Sequence, residues 1–136
     1  DKGDQGVAGP ILLAGGSTSK TELSQSNPNY VGKLFRWGSA MDFGDTLVVP
    51  KTGTLTGLSV ALESAVASGN RNYKFEVRKS SSATALLTCT IAGGASTCVS
   101  AAATPPTVNA GDALYLYAVG SNSPGNRVVA YTITFQ

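Results

Sequence analysis

The chain has 136 residues, of which 13% are charged, and its net charge is +2. This length fits one domain, and so small a charge does not indicate a nucleic-acid partner. Histidine is absent, which removes the usual general base and the usual zinc ligand, so we expect no enzyme activity and no cofactor. No apolar run is long enough to span a bilayer, so we expect no membrane insertion.

Residues 1–10 have glycine at every third position, at Gly3, Gly6 and Gly9. This spacing is the Gly-X-Y pattern of a collagen triple helix, in which only glycine fits the crowded axis. The alternative is a flexible glycine-rich leader. Three triplets bury too little surface to hold three chains together, so we expect any trimer to depend on the rest of the chain. The export signal is expected upstream, because the N-terminus has no charged region followed by an apolar run.

Residues 11–29 show little periodicity and are predicted to form a neck or loop. Residues 30–136 are predicted to form one all-β head, because period-2 alternation and turn clusters dominate and no helical stripe exceeds two turns. About eight short strands predict a single antiparallel sandwich or a jelly-roll-like head. The predicted strands are Tyr30–Trp37, Thr46–Val49, Thr54–Leu62, Asn72–Lys79, Ala85–Ile91, Ser96–Ala101, Ala113–Val119 and Arg127–Phe135.

The two cysteines flank a predicted hairpin in CTIAGGASTC. A two-residue turn at Gly93-Gly94 would place Cys89 opposite Cys98 in a non-hydrogen-bonded pair, where Cα atoms approach to about 4.5 Å. That separation permits a disulfide. The alternative is a pair of free thiols. Redox catalysis is not expected, because the spacing is not Cys-x-x-Cys.

Alternation in the predicted strand Asn72–Lys79 places its aromatic residues on one face and its charged residues on the other. Glu76 lies among the basic residues, where it weakens a polyanion site but can orient its neighbours. The alternative is an ordinary solvated face or a charged edge strand. The candidate polyanion-binding residues are Arg71, Lys74, Arg78 and Lys79, with Lys33, Arg36, Lys51 and Arg127 as further candidates.

Asp42 and Asp45 in MDFGDT carry carboxylate oxygens of the kind that binds calcium. Two aspartates in a loop are more often turn formers, so no metal is expected.

The Gly-x-y stump followed at once by a compact all-β head resembles the bacterial collagen-like surface proteins, and most of all the collagen-like adhesins of Legionella. The phrases TLVVPKTGTLTGLSV and AGDALYLYAV also resemble the complement and tumour-necrosis-factor type of trimeric jelly roll, and related spore-coat and phage-fibre heads. The first resemblance implies a homotrimer on the bacterial cell surface, outside the cell, that binds sulfated glycosaminoglycans such as heparin. Individual contact residues of the family cannot be aligned to this chain.

Two functions follow as expectations. The first is an adhesin head that trimerises the stalk and binds sulfated polysaccharide through the basic residues. The second is a purely structural trimerisation cap of a spore-surface or phage-fibre protein. One continuous basic surface would favour the adhesin, whereas scattered basic residues would favour the cap. The apolar side chains expected in a trimer interface include Leu12, Leu13, Tyr115, Tyr117 and Phe135.

Overall fold

The computed structural model describes residues 10–18, 22–33, 35–37 and 43–136. The strands are β1 Ile11–Gly16, β2 Asn29–Val31, β3 Phe35–Trp37, β4 Leu47–Val48, β5 Gly53–Leu62, β6 Asn72–Lys79, β7 Ala85–Ala92, β8 Thr97–Ser100, β9 Thr107–Val108, β10 Ala113–Ser121 and β11 Val129–Phe135, with a short 3-10 turn at Phe43–Asp45. No helix in these ranges has the length and apolarity needed to cross a membrane.

The strands form two antiparallel sheets. The five-stranded sheet has the order β1-β11-β5-β8, with β9 paired to β5, and the six-stranded sheet has the order β3-β2-β10-β6-β7, with β4 paired to β10. Eight of the described strands pair as nested partners: β1 with β11, β2 with β10, β5 with β8 and β6 with β7. This nesting is that of a jelly roll, so the predicted all-β antiparallel fold is confirmed.

Alternating side chains from both sheets fill one core. In β6, Tyr73, Phe75 and Val77 are fully buried, which confirms the predicted face of that strand. In β11, Ile133 and Phe135 are equally buried. Because the sequence of these two strands alternates with the period of the pleat, each presents one apolar row inward. Every fully buried side-chain nitrogen or oxygen in the described part of the chain has a hydrogen-bond partner.

The N-terminal segment differs from the prediction of a neck or loop. Ile11–Gly16 form strand β1, which pairs along its whole length with β11. Leu12 and Ala14 are exposed, while Ile11 and Leu13 are partly buried against the core. The sequence hides this alternation because Ala14, Gly15 and Gly16 have low strand propensity. The predicted strand Tyr30–Trp37 is likewise divided into β2 and β3, which pair with each other.

The sandwich has two ends, which we call the base and the tip. The base is the end where β1 and β10 begin and β11 ends, since Ile11 is paired with Phe135 and the loop before β10 is bonded to Val49. The tip is the opposite end, where β10 passes into the loop that contains Gly125. Eight residues of β6 separate base from tip, roughly 25 Å at the usual rise per residue.

Candidate binding surfaces

The outer side of the six-stranded sheet carries the charged residues predicted for β6. Strand β6 sits between β10 and β7, and its register places Arg78 beside Tyr115 and Glu76 beside Tyr117. Tyr117 is in turn beside Tyr30 of β2. We call this surface the tyrosine face; it consists of Tyr30, Lys74, Glu76, Arg78, Thr88, Thr90, Tyr115, Tyr117 and Val119.

Glu76 binds both basic neighbours on the tyrosine face. Nε and Nη2 of Arg78 donate to Oε1 of Glu76 over 2.9 and 2.6 Å, and Nζ of Lys74 lies 3.4 Å from Oε2. The Arg78 and Glu76 side chains are only 17% and 14% exposed, whereas Lys74 is 58% exposed. The two predicted polyanion contacts therefore come together, but with a carboxylate fixed between them.

Arg78 also packs on an aromatic ring. Its guanidinium carbon lies 3.7 Å from the centroid of the Tyr117 ring, a cation–π contact. Burial alone would lower the pKa of Arg78, but the hydrogen bond and charge of Glu76 raise it above its ordinary value. Tyr117 and Glu76 thus cover most of the Arg78 side chain, so this candidate polyanion-binding residue is a covered cation.

Two further candidates are engaged in local contacts. Nζ of Lys79 lies 3.3 Å from Oδ2 of Asp112 at the base, so the two side chains form an ion pair. The Asn109 N–H, which donates to Asp112 over 2.8 Å, and the charge of Lys79 hold the pKa of Asp112 below its ordinary value. Arg127 donates from Nε and Nη2 to the Ala65 carbonyl oxygen over 3.0 and 2.7 Å, so its guanidinium connects two loops at the tip.

The remaining candidates are distributed between the two ends. Lys33 and Lys51 are exposed. Lys33 follows β2, which runs toward the start of β10, and its N–H donates to the Asp45 carbonyl oxygen just before β4, while Lys51 lies between β4 and β5; both are therefore at the base. Arg71 is exposed just before β6, at the tip. None of these three forms an ion pair with another described residue. Arg36 is paired through its backbone with Tyr30, and its side chain is outside the described part.

The basic side chains in the described part of the chain thus occupy three places rather than one continuous surface. Lys33, Lys51 and Lys79 are at the base, Lys74 and Arg78 on the tyrosine face, and Arg71 and Arg127 at the tip. The tyrosine cluster itself was not predicted as a site. Its signal is the alternation in ALYLYAV, which sends Leu114 and Leu116 into the core and leaves Tyr115 and Tyr117 on the other side.

The outer side of the five-stranded sheet has the opposite character. Cross-strand register groups small or neutral side chains from β1, β11, β5 and β8 on this side. Leu12 is 63% exposed and Val99 is 75% exposed, and an open groove is lined by Ala14, Ala61 and Ala130. We call this surface the uncharged face; it consists of Leu12, Ala14, Gly57, Ser59, Ala61, Thr97, Val99, Ala130, Thr132 and Thr134.

Of the side chains expected in a trimer interface, only Leu12 is both apolar and largely exposed on the uncharged face. Leu13 is partly buried against the core. Phe135 is fully buried, so it belongs to the core and is not available to a partner. Tyr115 and Tyr117 lie on the tyrosine face, on the other sheet.

The predicted disulfide between Cys89 and Cys98 is present, but the hairpin predicted around it is not. Gly94 has a φ of 86°, and the Ala95 N–H donates to the Ala92 carbonyl, as in a tight turn. After this turn, however, β7 and β8 enter different sheets. The disulfide therefore joins the two sheets, with a Cα–Cα separation of 5.9 Å.

In the described ranges, no three His, Cys, Asp or Glu side chains lie close enough together to hold a metal ion. Asp42 lies outside those ranges, and Asp45 is partly buried at the end of the turn Phe43–Asp45.

No protein-family model and no curated protein sequence matches the chain.

Proposed function

We propose that the chain is the C-terminal head of a bacterial collagen-like surface protein, outside the cell, most similar to the collagen-like adhesins of Legionella. In this role it joins three chains and sets the register of their stalk. The observation that carries the proposal is the uncharged face. Strand β1 follows the Gly-x-y stump directly and lies in this face, so a three-chain stalk delivers three copies of the face side by side. Burial in a trimer removes Leu12 and Val99 from water.

A closed threefold ring uses two different surfaces of each copy, because its contacts run head to tail. The uncharged face supplies the first surface. The second is the side of the sandwich at the edge strand β7 and the turn that follows it, which lies within a stretch from Ser80 to Gly111 that contains no Asp, Glu, Lys or Arg. No residue of either surface is charged, so their burial leaves no unpaired charge in the interface, which is the costly event. The exposed Glu63 lies at the rim of the uncharged face, beyond Ala61 toward the tip.

Light scattering on the 136-residue chain at micromolar concentration tests the trimer. We expect three times the chain mass of 13.8 kDa. Ala61→Glu places a carboxylate in the middle of the uncharged face and should give a folded monomer, whereas Ser26→Glu, on an exposed residue of the tip, should remain trimeric. A monomeric mass for the unaltered chain, or a trimeric Ala61→Glu variant, would contradict the proposal.

Attachment to sulfated polysaccharide is the second candidate function. It is favoured by the position of Lys33, Lys51 and Lys79 at one end of the sandwich. A trimer repeats this basic end three times around one axis, so weak single contacts add through effective concentration. The scatter of the other cations and the Glu76 carboxylate favour the structural cap instead.

Heparin-affinity chromatography against salt decides between these two. An adhesin should elute at lower salt after Lys33→Gln/Lys51→Gln, because each lost lysine–sulfate contact reduces the number of counterions that binding releases from heparin. Lys74→Gln, which removes the same kind of charge from the tyrosine face, should change elution little. A trimeric head that does not bind heparin even in low salt would be a structural cap.

A further inference from the structure

We infer that the tyrosine face is a binding site for an uncharged polysaccharide chain, with Tyr30 and Tyr117 as its apolar platform and the Arg78–Glu76 pair as its fixed hydrogen-bonding group. This inference does not rest on trimerisation or on heparin binding. It comes from the way the aromatic, charged and hydroxyl side chains share one side of the six-stranded sheet.

The platform is built from three tyrosine rings on neighbouring strands. The Tyr30 ring centroid is 5.9 Å from that of Tyr115 and 5.3 Å from that of Tyr117. Tyr115 is 7% exposed and supports the other two, which are partly exposed. Arg78 covers one face of the Tyr117 ring, so the apolar surface of the platform is the Tyr30 ring together with the rest of Tyr117. Each of the two also has a polar hydroxyl, and only two side-chain torsions must be fixed, so tyrosine binds at low entropic cost.

The polar groups beside the platform are already held in place. Arg78 is fixed between the Tyr117 ring and Oε1 of Glu76 and is also within hydrogen-bonding reach of Tyr115, and its Nη1 is not used by Glu76. A guanidinium is rigid and rich in donors, and a carboxylate accepts several hydrogen bonds. Together they can pair with the vicinal hydroxyl groups of a sugar, each of which both donates and accepts.

A continuous strip crosses four strands in register. Tyr30 of β2, Tyr117 of β10, Glu76 of β6 and Thr88 of β7 are successive cross-strand neighbours, and Thr88 is exposed. Three interstrand steps make the strip about 14 Å long, at roughly 4.8 Å per step. Such a strip suits an extended chain of a few sugar rings better than a single small molecule.

The charge of this surface favours an uncharged ligand. Lys74 and Arg78 are compensated in part by Glu76, whose carboxylate lies against both. A sulfated chain would have to approach that carboxylate, and like charges repel. An uncharged chain has no such penalty, and its apolar C–H surfaces can cover the exposed parts of the rings.

Affinity electrophoresis tests the inference, with dextran, laminarin, hydroxyethylcellulose and guar galactomannan as uncharged probes and dextran sulfate as the charged one. At least one uncharged polymer should retard the unaltered chain, and 0.5 M NaCl, about a 4 Å screening length, should not abolish the retardation. Glu76→Gln and Tyr30→Leu should each weaken it by about fivefold to tenfold, the loss of roughly one hydrogen bond or one apolar contact. Lys51→Gln, at the base, should leave it unchanged.

Glu76→Gln also separates the two ligand classes by the sign of its effect. On a polyanion site, removal of the carboxylate should strengthen binding to dextran sulfate, and that result without retardation by an uncharged polymer would overturn the inference. Failure of all four uncharged polymers to retard the unaltered chain would overturn it too. If Tyr30→Leu does not fold, Tyr30→Phe keeps the platform ring, and its binding should stay within about twofold of the unaltered chain, less than one hydrogen bond.

Discussion

Replacing Asn29 should test how the segment before β2 is fixed to the head. Asn29 is fully buried. Its Oδ1 accepts the Ser24 N–H over 2.8 Å, and its Nδ2 donates to the carbonyl oxygens of Ser24, Asn27 and Ala118 over 3.0, 3.0 and 3.1 Å. One amide therefore attaches this segment both to itself and to β10.

Asn29→Ala removes these bonds and leaves backbone groups buried without partners. A net hydrogen bond contributes about 1 kcal/mol, and an unsatisfied buried group costs about 1 to 3 kcal/mol, so the loss in unfolding free energy should be about 3 kcal/mol. Urea unfolding followed by far-UV circular dichroism, at one fixed protomer concentration, measures it. Asn27→Ala is the matched control on an exposed residue and should cost less than about 0.5 kcal/mol.

Asn29→Asp adds a pH test of the same geometry. The new carboxylate would face the three carbonyl oxygens that now accept from Nδ2, so its pKa in the folded state should rise above the unfolded value of about 3.9. A raised folded pKa gives stability that is complete below about pH 4 and is lost as the pH rises through the folded pKa. The variant should thus be closer to the unaltered chain at pH 3.5 than at pH 7. An Asn29→Ala variant within about 0.5 kcal/mol of the unaltered chain would refute the reasoning.

Two further predictions concern Tyr73 and Gly32. The Tyr73 hydroxyl donates to the Gly125 carbonyl oxygen over 2.5 Å, and burial raises the pKa of Tyr73 to about 12. The stability that the protonated Tyr73 hydroxyl contributes is complete below about pH 10 and is lost between about pH 10 and 12. The urea midpoint of Tyr73→Phe should therefore fall less over that interval than the midpoint of the unaltered chain. Gly32→Ala would place a Cβ against the Asp45 carbonyl oxygen and should cost about 2 kcal/mol by the same urea assay; an unchanged midpoint would contradict this packing.

The strands that the sequence predicts well are those with a clear alternation. Strand β6 has the predicted bounds and the predicted inward face, because Tyr73, Phe75 and Val77 alternate with charged residues. Strand β1 is missed because its alternation consists largely of alanine and glycine, and its stability comes from pairing with β11 at the far end of the chain. Local pattern carries no information about such a distant partner.

The candidate sites divide in the same way. The grouping of Lys74, Glu76 and Arg78 follows from spacing along one strand, and the sequence indicates that Glu76 can orient its neighbours. The contact of Arg78 with Tyr117 does not follow from spacing, because it depends on the register between β6 and β10. That register decides whether the arginine is a free cation or a covered one. The chemistry predicted for the site therefore changes when the second strand is placed beside the first.

The disulfide shows how a correct pairing can follow from a different geometry, and it yields the last prediction. The cysteines are nine residues apart in sequence, and in the chain-entropy model a closed loop of that size contributes about 2.5 kcal/mol to stability. A hairpin disulfide would fix two strands that are already hydrogen-bonded. Here β7 and β8 lie at the edges of different sheets, so the bond closes one side of the sandwich.

Cys89→Ala/Cys98→Ala should lower the unfolding free energy by about 2.5 kcal/mol, and proteolysis should first cut at the loop between β7 and β8. Intact mass after alkylation without reductant gives the bonded state directly: two modified thiols in the native protein would show that the bond is absent, and a double variant as stable as the unaltered chain would show that it does not constrain the fold.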